Sequence, residues 1–572
     1  MHLGLPTRSV HGLPIIEHAE FGRNVPDETV PDADKMELGK IYHMGREEKA
    51  DLILNRQAMA SHTFVTGSTG TGKSNAVYHL LDEITKDGRT SFLVVEPAKG
   101  EYKNVFGSRA DVKVFGTNPR ETPLLRINPF AFPQNIHILE HIDRLVEIFN
   151  ACWPMYAAMP AVLKDAIERS YQKVGWDLRN SESEKGVFPT FFDLLDILPG
   201  VIEESHYSKD TQSDYVGALC TRVKSLTNGI YGSVFCAEDA LSDAELFDCN
   251  VVVDLSRVGS METKSLLMGI LVMKLQEYRM CGSEMNSRLR HVTVLEEAHN
   301  LLRKTSAEQS QEGANLQGKS VEMLANAIAE MRTYGEGFII ADQAPGLLDM
   351  SVIRNTNTKI ILRLPDEEDR KLVGKSAALK EAQIDELSKL PLGVAAVYQN
   401  EWPEAVLCKI EAYPMPENAV YHKPSKMPHE INAEFVFGQL AAGKELEPLG
   451  VSEMEQLKLW LKRHEMMLKP EDGRYLEQVF AGGELDVAKT RKAVFDFFGG
   501  ISTVVDYCAA AEKSFTPRKE FLEQLQGQYG LKAAAADWVL NSVISMGMSL
   551  NPDAKAVDNL RTNFEQQGGR VL

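Results

Sequence analysis

Short runs of apolar and β-branched residues recur along the first 410 positions and predict buried strands. Seven runs are almost continuously apolar: HTFVT, SFLVV, VKVF, VVVDL, HVTVL, GFIIA and KIILR, at 62–66, 91–95, 112–115, 251–255, 291–295, 337–341 and 359–363. Such continuous runs are typical of strands that are covered on both faces of a parallel sheet. Two further runs, VAAVYQ at 394–399 and AVLCKI at 405–410, predict a hairpin.

Helical periodicity lies between several of these predicted strands. After Lys73, the apolar residues at 77, 80, 81 and 84 share one helical face, and Asp87-Gly88 ends the pattern. The same kind of face follows Lys319, at 321, 324, 328 and 331. Because strands alternate with helices, the sequence predicts an α/β domain layered around a parallel sheet.

The rest of the chain divides around this core. Residues 1–60 form a polar N-terminal segment with no clear fold, for which a reduced β-rich cap is one interpretation. The core covers 61–410, and a helical insertion interrupts it at about 131–246. A proline-rich linker at 411–431 precedes a helical C-terminal region at 432–572.

Composition limits the class of protein. The 572 residues are 44% hydrophobic and 25% charged, which is typical of a soluble globular chain. The net charge of −19 argues against a surface that coats nucleic acid, so any such contact needs a local basic strip or pore. The seven cysteines show no C-x-x-C pair, and the longest apolar run is too short for a bilayer. We expect a cytoplasmic protein without a membrane span.

A phosphate-binding loop is indicated directly after the first apolar run. The segment GSTGTGKS matches G-x-x-x-x-G-K-[ST], follows HTFVT and precedes a predicted helix. Glycines let backbone N–H groups turn towards phosphate oxygens, the lysine reaches the terminal phosphates, and the last hydroxyl reaches Mg²⁺. ATP and Mg²⁺ are therefore the expected cofactors. The predicted nucleotide-binding residues are Gly67, Ser68, Thr69, Gly70, Thr71, Gly72, Lys73, Ser74 and Asn75.

The same pattern occurs a second time, at 313–320, as GANLQGKS. It follows the polar stretch TSAEQSQE, which has no strand character. A phosphate loop needs a strand in front of it. We therefore interpret the second match as a loop that leads into a helix.

Acidic residues end two of the predicted strands. Glu296 and Glu297 follow HVTVL, where Glu296 would hold Mg²⁺ through a water and Glu297 would polarise the attacking water. The alternative is a solvated pair that opens a helix. Asp254 ends VVVDL and is either a further site residue or a turn and cap residue.

Polar and basic residues surround the run GFIIA. Gln343 follows it and is predicted to sense the γ-phosphate or the attacking water, although it could simply form a turn beside Pro345. Arg332, Arg354 and Arg363 are candidates for a guanidinium that stabilises the transferred phosphoryl group from the same or a neighbouring subunit. Each of them could equally be a surface ion-pair partner.

Taken together, these pieces resemble a HerA-type ATPase of the HerA/FtsK superfamily. The resemblance is carried by HTFVTGSTGTGKSNAVYHLL, FLVVEPAKGEY, HVTVLEEAHNLL, MRTYGEGFIIADQAPGLLDMSVIRNTNTKIILRL and DEEDRKLVG. It implies a RecA-like P-loop NTPase core in a hexameric ring that moves double-stranded DNA, with ATP sites between subunits. It gives Lys73, Ser74, Glu297 and Gln343 their family roles and places Glu96 and Glu101 near the nucleotide.

The resemblance also implies partners. HerA relatives often work with a nuclease, and some are encoded in bacterial anti-phage modules beside a nuclease or a sirtuin-like effector. Two features differ from the family pattern: relatives usually have aspartate where Glu296 stands, and the 60 residues before HTFVT are few for the N-terminal barrel of archaeal members. Partner docking could therefore use the C-terminal helical region instead.

Three functions remain open at this point. The first is a DNA-translocating ATPase that serves a partner effector, with the segment at 301–320, which contains Arg303, Lys304 and Lys319, as a pore loop or a solvated surface loop. The second is an ATP-gated hexameric scaffold that assembles and activates an effector enzyme without processive translocation. The third is a substrate-coupling ATPase of a secretion or conjugation apparatus, which the lack of a membrane anchor disfavours.

Overall fold

The fold is known from a computed structural model of the chain. It describes residues 19–156, 158–183, 186–205, 207–237, 240–282, 284–305, 313–415, 420–423, 470–480, 486–511, 516–529, 533–551, 553–569 and 571. Its strands are β1 Lys35–His43, β2 Arg46–Asn55, β3 Thr63–Thr66, β4 Ser91–Glu96, β5 Val112–Gly116, β6 Trp176–Asp177, β7 Glu182–Ser183, β8 Asn250–Asp254, β9 His291–Glu296, β10 Glu336–Asp342, β11 Thr358–Ile361, β12 Val394–Gln399 and β13 Val406–Ile410.

One large sheet of eleven described strands organises the core, in the order β2-β1-β13-β12-β11-β3-β10-β9-β4-β8-β5. The seven strands from β11 to β5 are parallel, and they are the seven apolar runs of the sequence. The predicted hairpin is also present, because β12 pairs antiparallel with β13. The α/β class and the RecA-like parallel core are thus confirmed.

The N-terminal segment contributes to this same sheet. Strand β1 pairs antiparallel with β13 and with β2, so residues 35–55 extend the sheet beyond the hairpin. The first half of β2 is exposed, and only Leu52 and Leu54 of that strand are fully buried. This half-buried edge has too little apolar periodicity to be recognised as a strand from the sequence.

Helices cover the sheet and form the insertion. They are α1 Lys73–Thr85, α2 Tyr102–Phe106, α3 Ile138–Cys152, α4 Met159–Lys173, α5 Phe191–Glu204, α6 Lys209–Tyr215, α7 Thr221–Thr227, α8 Gly229–Phe235, α9 Asp243–Phe247, α10 Met261–Gly282, α11 Gly313–Glu330, α12 Met350–Arg354, α13 Glu367–Ser376 and α14 Glu381–Glu386. The insertion comprises α3 to α9 and the small β6-β7 hairpin, between β5 and β8.

The chain divides into two compact units, Met1–Ser170 with Pro189–Lys423, and Tyr171–Phe188 with Pro424–Leu572. The second unit contains the helices α15 Pro470–Phe480, α16 Val487–Phe497, α17 Gly500–Ala511, α18 Pro517–Tyr529, α19 Ala533–Leu550 and α20 Ala554–Gln566. Their buried apolar residues, such as Phe495, Tyr507 and Leu540, form a core of their own. Residues 424–469, which include the end of the predicted linker and the start of the predicted C-terminal region, lie outside the described residues.

Among the described helices, none is by itself long and apolar enough to cross a membrane. The segments Ala488–Phe497 and Gly500–Ala511 reach the necessary length and composition only as a pair, and they are bent by 63°.

The second G-x-x-x-x-G-K-[ST] match does not form a phosphate loop. The loop that we expected at 313–320 is wrong, because these residues already lie in α11. Their backbone N–H groups belong to a helix and do not turn inward around a ligand. Part of the predicted pore loop, 306–312, lies outside the described residues. Before that gap, Lys304 donates its amide hydrogen to the carbonyl of Leu347 at 2.8 Å.

A buried histidine lies at the start of the central strand. His62 precedes β3 with a φ of 68°, and its ring Nδ1 accepts the amide hydrogen of Phe338 at 3.1 Å. Burial lowers the pKa of this ring to about 4. The folded protein therefore holds His62 neutral at a pH where the unfolded chain already binds a proton.

We expect His62→Asn to reduce the acid sensitivity of the fold. Between pH 6.5 and 4 the unfolded chain takes up more protons at this position, so the free energy of unfolding falls as the pH falls. Asparagine keeps an acceptor and tolerates positive φ. Urea unfolding at pH 7 and pH 5 should show a decline that is smaller in the variant, by about 1–2 kcal/mol. An equal decline in both proteins would show that another group is responsible.

Candidate active site

The loop between β3 and α1 has the shape that a phosphate loop requires. Gly70 and Gly72 have φ values of 76° and 105°, in a region that favours glycine. The amide of Ser68 donates to the carbonyl of Arg363 at 3.0 Å, and the hydroxyl of Thr71 donates to the carbonyl of Ser68 at 2.7 Å. The loop is therefore held against the end of β11, with α1 beginning at Lys73.

An open cleft of about 290 Å³ lies over this loop. Most of its lining was predicted from the motif, and Lys99 and Leu392 are additions that the motif did not indicate. The amino end of α1 faces a site of this kind with free N–H groups and a positive dipole end, which favours anions. The lining consists of Ser68, Thr69, Gly70, Gly72, Lys73, Ser74, Asn75, Lys99, Gln343 and Leu392.

The lysine of the loop meets both glutamates of β9. Lys73 Nζ lies 2.7 Å from Glu296 Oε2 and 3.7 Å from Glu297 Oε1, and all three side chains are largely buried. Burial opposes the charge on Lys73, but the two carboxylates outweigh it and raise the pKa of the ammonium. The structure therefore brings the predicted phosphate lysine and the predicted acidic pair to one place.

Glu297 and Gln343 are directly connected. The side-chain amide of Gln343 donates to Glu297 Oε1, and the hydroxyl of Thr69 donates to Gln343 Oε1 at 2.6 Å. Glu297 itself has a left-handed backbone, with a φ of 45°. Such strain in a residue other than glycine persists only where the surroundings enforce it, and it is concentrated at functional sites. The predicted base and the predicted sensor thus contact each other beside the phosphate loop.

A buried aspartate and a histidine support this pair. The ring of His299 lies 2.9 Å from Asp342 Oδ2, which also accepts the backbone amide of His299 at 2.9 Å. The hydrogen bond to Asp342 raises the pKa of His299, and burial opposes that shift. The same ring lies 3.7 Å from Glu297 Oε2. Neither residue was predicted from the sequence as a site residue, although His299 lies in the segment EEAH and Asp342 in the segment ADQ.

Glu96 organises the loop after β4. Its carboxyl oxygens accept the amides of Glu101 at 2.8 Å and Tyr102 at 3.1 Å, and burial raises its pKa to about 8. Glu101 is exposed, and its carboxylate lies 3.8 Å from Lys99 Nζ. Of the two glutamates predicted near the nucleotide, Glu96 is therefore directed towards the backbone of its own loop.

Asp254 has a structural environment. Its carboxylate pairs with Lys103 Nζ at 2.6 Å and accepts the amide of Ser256 at 2.8 Å. It is buried beside Gly100, at the end of β8. These contacts fit the interpretation of Asp254 as a strand-end cap.

The three candidate arginines lie at opposite ends of the parallel strands. Arg363 follows β11, at the carboxyl ends of the strands, where the phosphate loop lies. Arg332 and Arg354 come just before β10 and β11, at the amino ends. All three are exposed. Arg332 and Arg354 are therefore separated from the cleft of their own chain by the length of the strands.

The donor atoms at the cleft suit a magnesium ion bound with a nucleotide. Ser74 offers a hydroxyl in the first turn of α1, and Glu296 offers a carboxylate, both of which are oxygen ligands that Mg²⁺ prefers. In the described residues, Glu297, His299 and Asp342 also approach one another closely enough to hold a metal. The two oxygens of Asp342 accept the backbone amides of His299 and Ala344, at 2.9 Å each.

Comparisons with known proteins agree with this geometry. The family "Helicase HerA, central domain" matches residues 36–214. The chain is 26% identical to the DNA double-strand break repair helicase HerA of Sulfolobus acidocaldarius, over 67% of this chain and 71% of that protein. It is 23% identical to a probable helicase of Methanocaldococcus jannaschii, over 70% and 76% of the two chains. The structure of VirB4 of Thermoanaerobacter pseudethanolicus is similar with a TM-score of 0.51 and 18% identity, over 67% of this chain and 98% of that one.

The parallel core, the phosphate loop and the acidic strand end define a P-loop ATPase. Within that class, the matches to the helicase family model and to its archaeal members support a HerA/FtsK-type ATPase.

Proposed function

We propose that this protein is an ATP-driven translocase of double-stranded DNA that forms a hexameric ring. The convergence of Lys73, Glu297 and Gln343 beside the phosphate loop is the observation that carries this proposal. It brings together a cation for the phosphates, a base for the attacking water and an amide that holds this base. The DNA substrate follows from the similarity to repair helicases of the HerA type.

The residues of the cleft divide the work of hydrolysis. Lys73 leaves Glu296 and contacts the terminal phosphates, while the loop amides hold the remaining phosphate oxygens. A magnesium ion, held by Ser74 and Glu296, would neutralise phosphate charge. Glu297 Oε accepts the proton of the attacking water, and the amide of Gln343 keeps that carboxylate in place.

The positions of Arg332 and Arg354 support a ring. Both are exposed at the edge of the sheet opposite to the cleft of their own chain. In a head-to-tail ring, that edge of one subunit would face the cleft of the next. An arginine that reaches across would stabilise the charge that develops on the transferred phosphoryl group.

We further propose a partner nuclease or a sirtuin-like effector, in DNA processing or antiviral defence, in the cytoplasm. The net charge is −19, so DNA contact would be confined to the channel of the ring. Such contacts follow the phosphate backbone and do not read the bases.

We expect DNA to stimulate ATP hydrolysis, and we expect the wild-type protein to displace a third strand from a duplex as it moves. Lys73→Ala should abolish both activities, because the phosphates lose their cation. Native mass spectrometry would give the number of subunits in the same preparation. Three results together would overturn translocation in favour of the ATP-gated scaffold. They are ATP hydrolysis that DNA does not stimulate, a third strand that is not displaced, and an intact ring.

A further inference from the structure

A buried tyrosine holds the acidic residue that faces the phosphate lysine. Tyr102 is 2% exposed and begins α2, and its hydroxyl donates to Glu296 Oε1 at 2.5 Å. The other oxygen of Glu296, Oε2, lies 2.7 Å from Lys73 Nζ. Glu296 is thus held from two sides, by a tyrosine on one oxygen and by the lysine on the other.

The position of Tyr102 is set by its surroundings and not by the cleft. Its backbone amide is bound by Glu96 at 3.1 Å, and its ring packs edge-on against Tyr78 with centroids 4.9 Å apart. It is also in contact with the ring of Phe106. Tyr102 is absent from the lining of the cleft, so a nucleotide would not have to displace it.

A bound nucleotide would affect the two partners of Glu296, Lys73 and Tyr102, in different ways. When phosphates draw Lys73 away, Glu296 loses its cation, and a buried carboxylate without a partner is costly. The hydroxyl of Tyr102 remains and can still donate to Oε1. The oxygen that Lys73 has left is then free to face the metal.

We propose that Tyr102 is a positioning residue that keeps Glu296 directed at the magnesium ion after Lys73 has moved to the phosphates. The inference rests on the proposed role of Glu296 towards Mg²⁺. It assigns a function to a residue of the segment KGEY that does not line the cleft.

The test measures metal dependence and not turnover. Binding of a fluorescent ATP analogue to the full chain is titrated with Mg²⁺ for the wild type, for Tyr102→Phe and for Tyr413→Phe. Tyr413 is the matched control, because its ring belongs to the same aromatic cluster, 5.6 Å from the ring of Phe106, and the charged groups that act on its hydroxyl are Asp82 and Arg109 instead of Glu296. We expect the half-saturating Mg²⁺ concentration to rise about tenfold in Tyr102→Phe, as for the loss of one hydrogen bond to a charged group.

The affinity for the metal-free analogue should change less than twofold in Tyr102→Phe, and Tyr413→Phe should match the wild type in both measurements. An equal loss with and without Mg²⁺, or an unchanged Mg²⁺ requirement, would overturn the role of Tyr102. A further variant, Glu296→Gln, distinguishes an error in the role of Tyr102 from an error in the proposed role of Glu296 towards Mg²⁺. If Glu296→Gln leaves the Mg²⁺ requirement unchanged, then Glu296 itself does not contact the metal, whatever Tyr102 does.

Discussion

The variant Glu297→Gln is expected to bind ATP nearly as well as the wild type and to hydrolyse it at least about 100-fold more slowly. Glutamine keeps the size of the side chain and can still contact Gln343, but it cannot accept a proton from water. Lys73 keeps Glu296 as its closer partner, at 2.7 Å. Steady-state phosphate release and binding of a fluorescent ATP analogue would measure the two effects separately.

A suitable control is Glu121→Gln. Glu121 is a carboxylate that pairs with Lys103 at 3.0 Å and with Arg257 at 2.8 Å, away from the lining of the cleft. Its variant should hydrolyse ATP at close to the wild-type rate. A Glu297→Gln protein with more than about a tenth of the wild-type rate would remove Glu297 from the role of general base.

The variant Glu336→Ala is expected to lower the free energy of unfolding of the core by about 3–5 kcal/mol. Glu336 is fully buried at the start of β10 and accepts hydrogen bonds from Arg279 at 2.9 Å and Thr293 at 2.9 Å, with His291 at 2.7 Å. Arg279 is itself only 2% exposed. Removal of the carboxylate would leave a buried guanidinium with fewer partners, and urea unfolding would measure the loss.

The matched control is Glu367→Ala, at an exposed helical pair with Lys371. Exposed pairs of this kind contribute little, so the urea midpoint should be unchanged. Burial opposes the charge of Glu336, but His291 and Arg279 outweigh it and lower its pKa. Glu336 therefore contributes its full stability at a pH above its pKa in the unfolded chain. This contribution is lost as the pH falls through its lower pKa in the folded protein. A Glu336→Ala protein with wild-type stability would show that the cluster is energetically neutral.

The strands of the parallel sheet and the phosphate loop could be predicted from the sequence alone. Continuous apolar runs predicted the parallel strands, since burial on both faces leaves no room for alternation. The difference between the two lysine-containing matches could also be predicted, because only one of them follows a strand. The second match is not a phosphate loop, but it lies in helix α11 and not in the loop that we expected.

The half-buried strands β1 and β2 could not be predicted from the sequence in this way. Their polar face obscures the pattern, and β13, the strand through which β1 joins the sheet, lies more than 350 residues further along the chain. Pairing over such a distance leaves no trace in a local window of sequence.

The sequence by itself determined the type of fold, the phosphate loop and the identity of the acidic pair, because glycine spacing and apolar runs are local properties. Only the tertiary structure decided which groups meet. It placed Tyr102 on Glu296 and His299 on Asp342, and it put Arg332 at the edge away from its own cleft. The physical reason is the order of the strands, which brings β3, β10, β9 and β4 side by side although they are far apart in the chain.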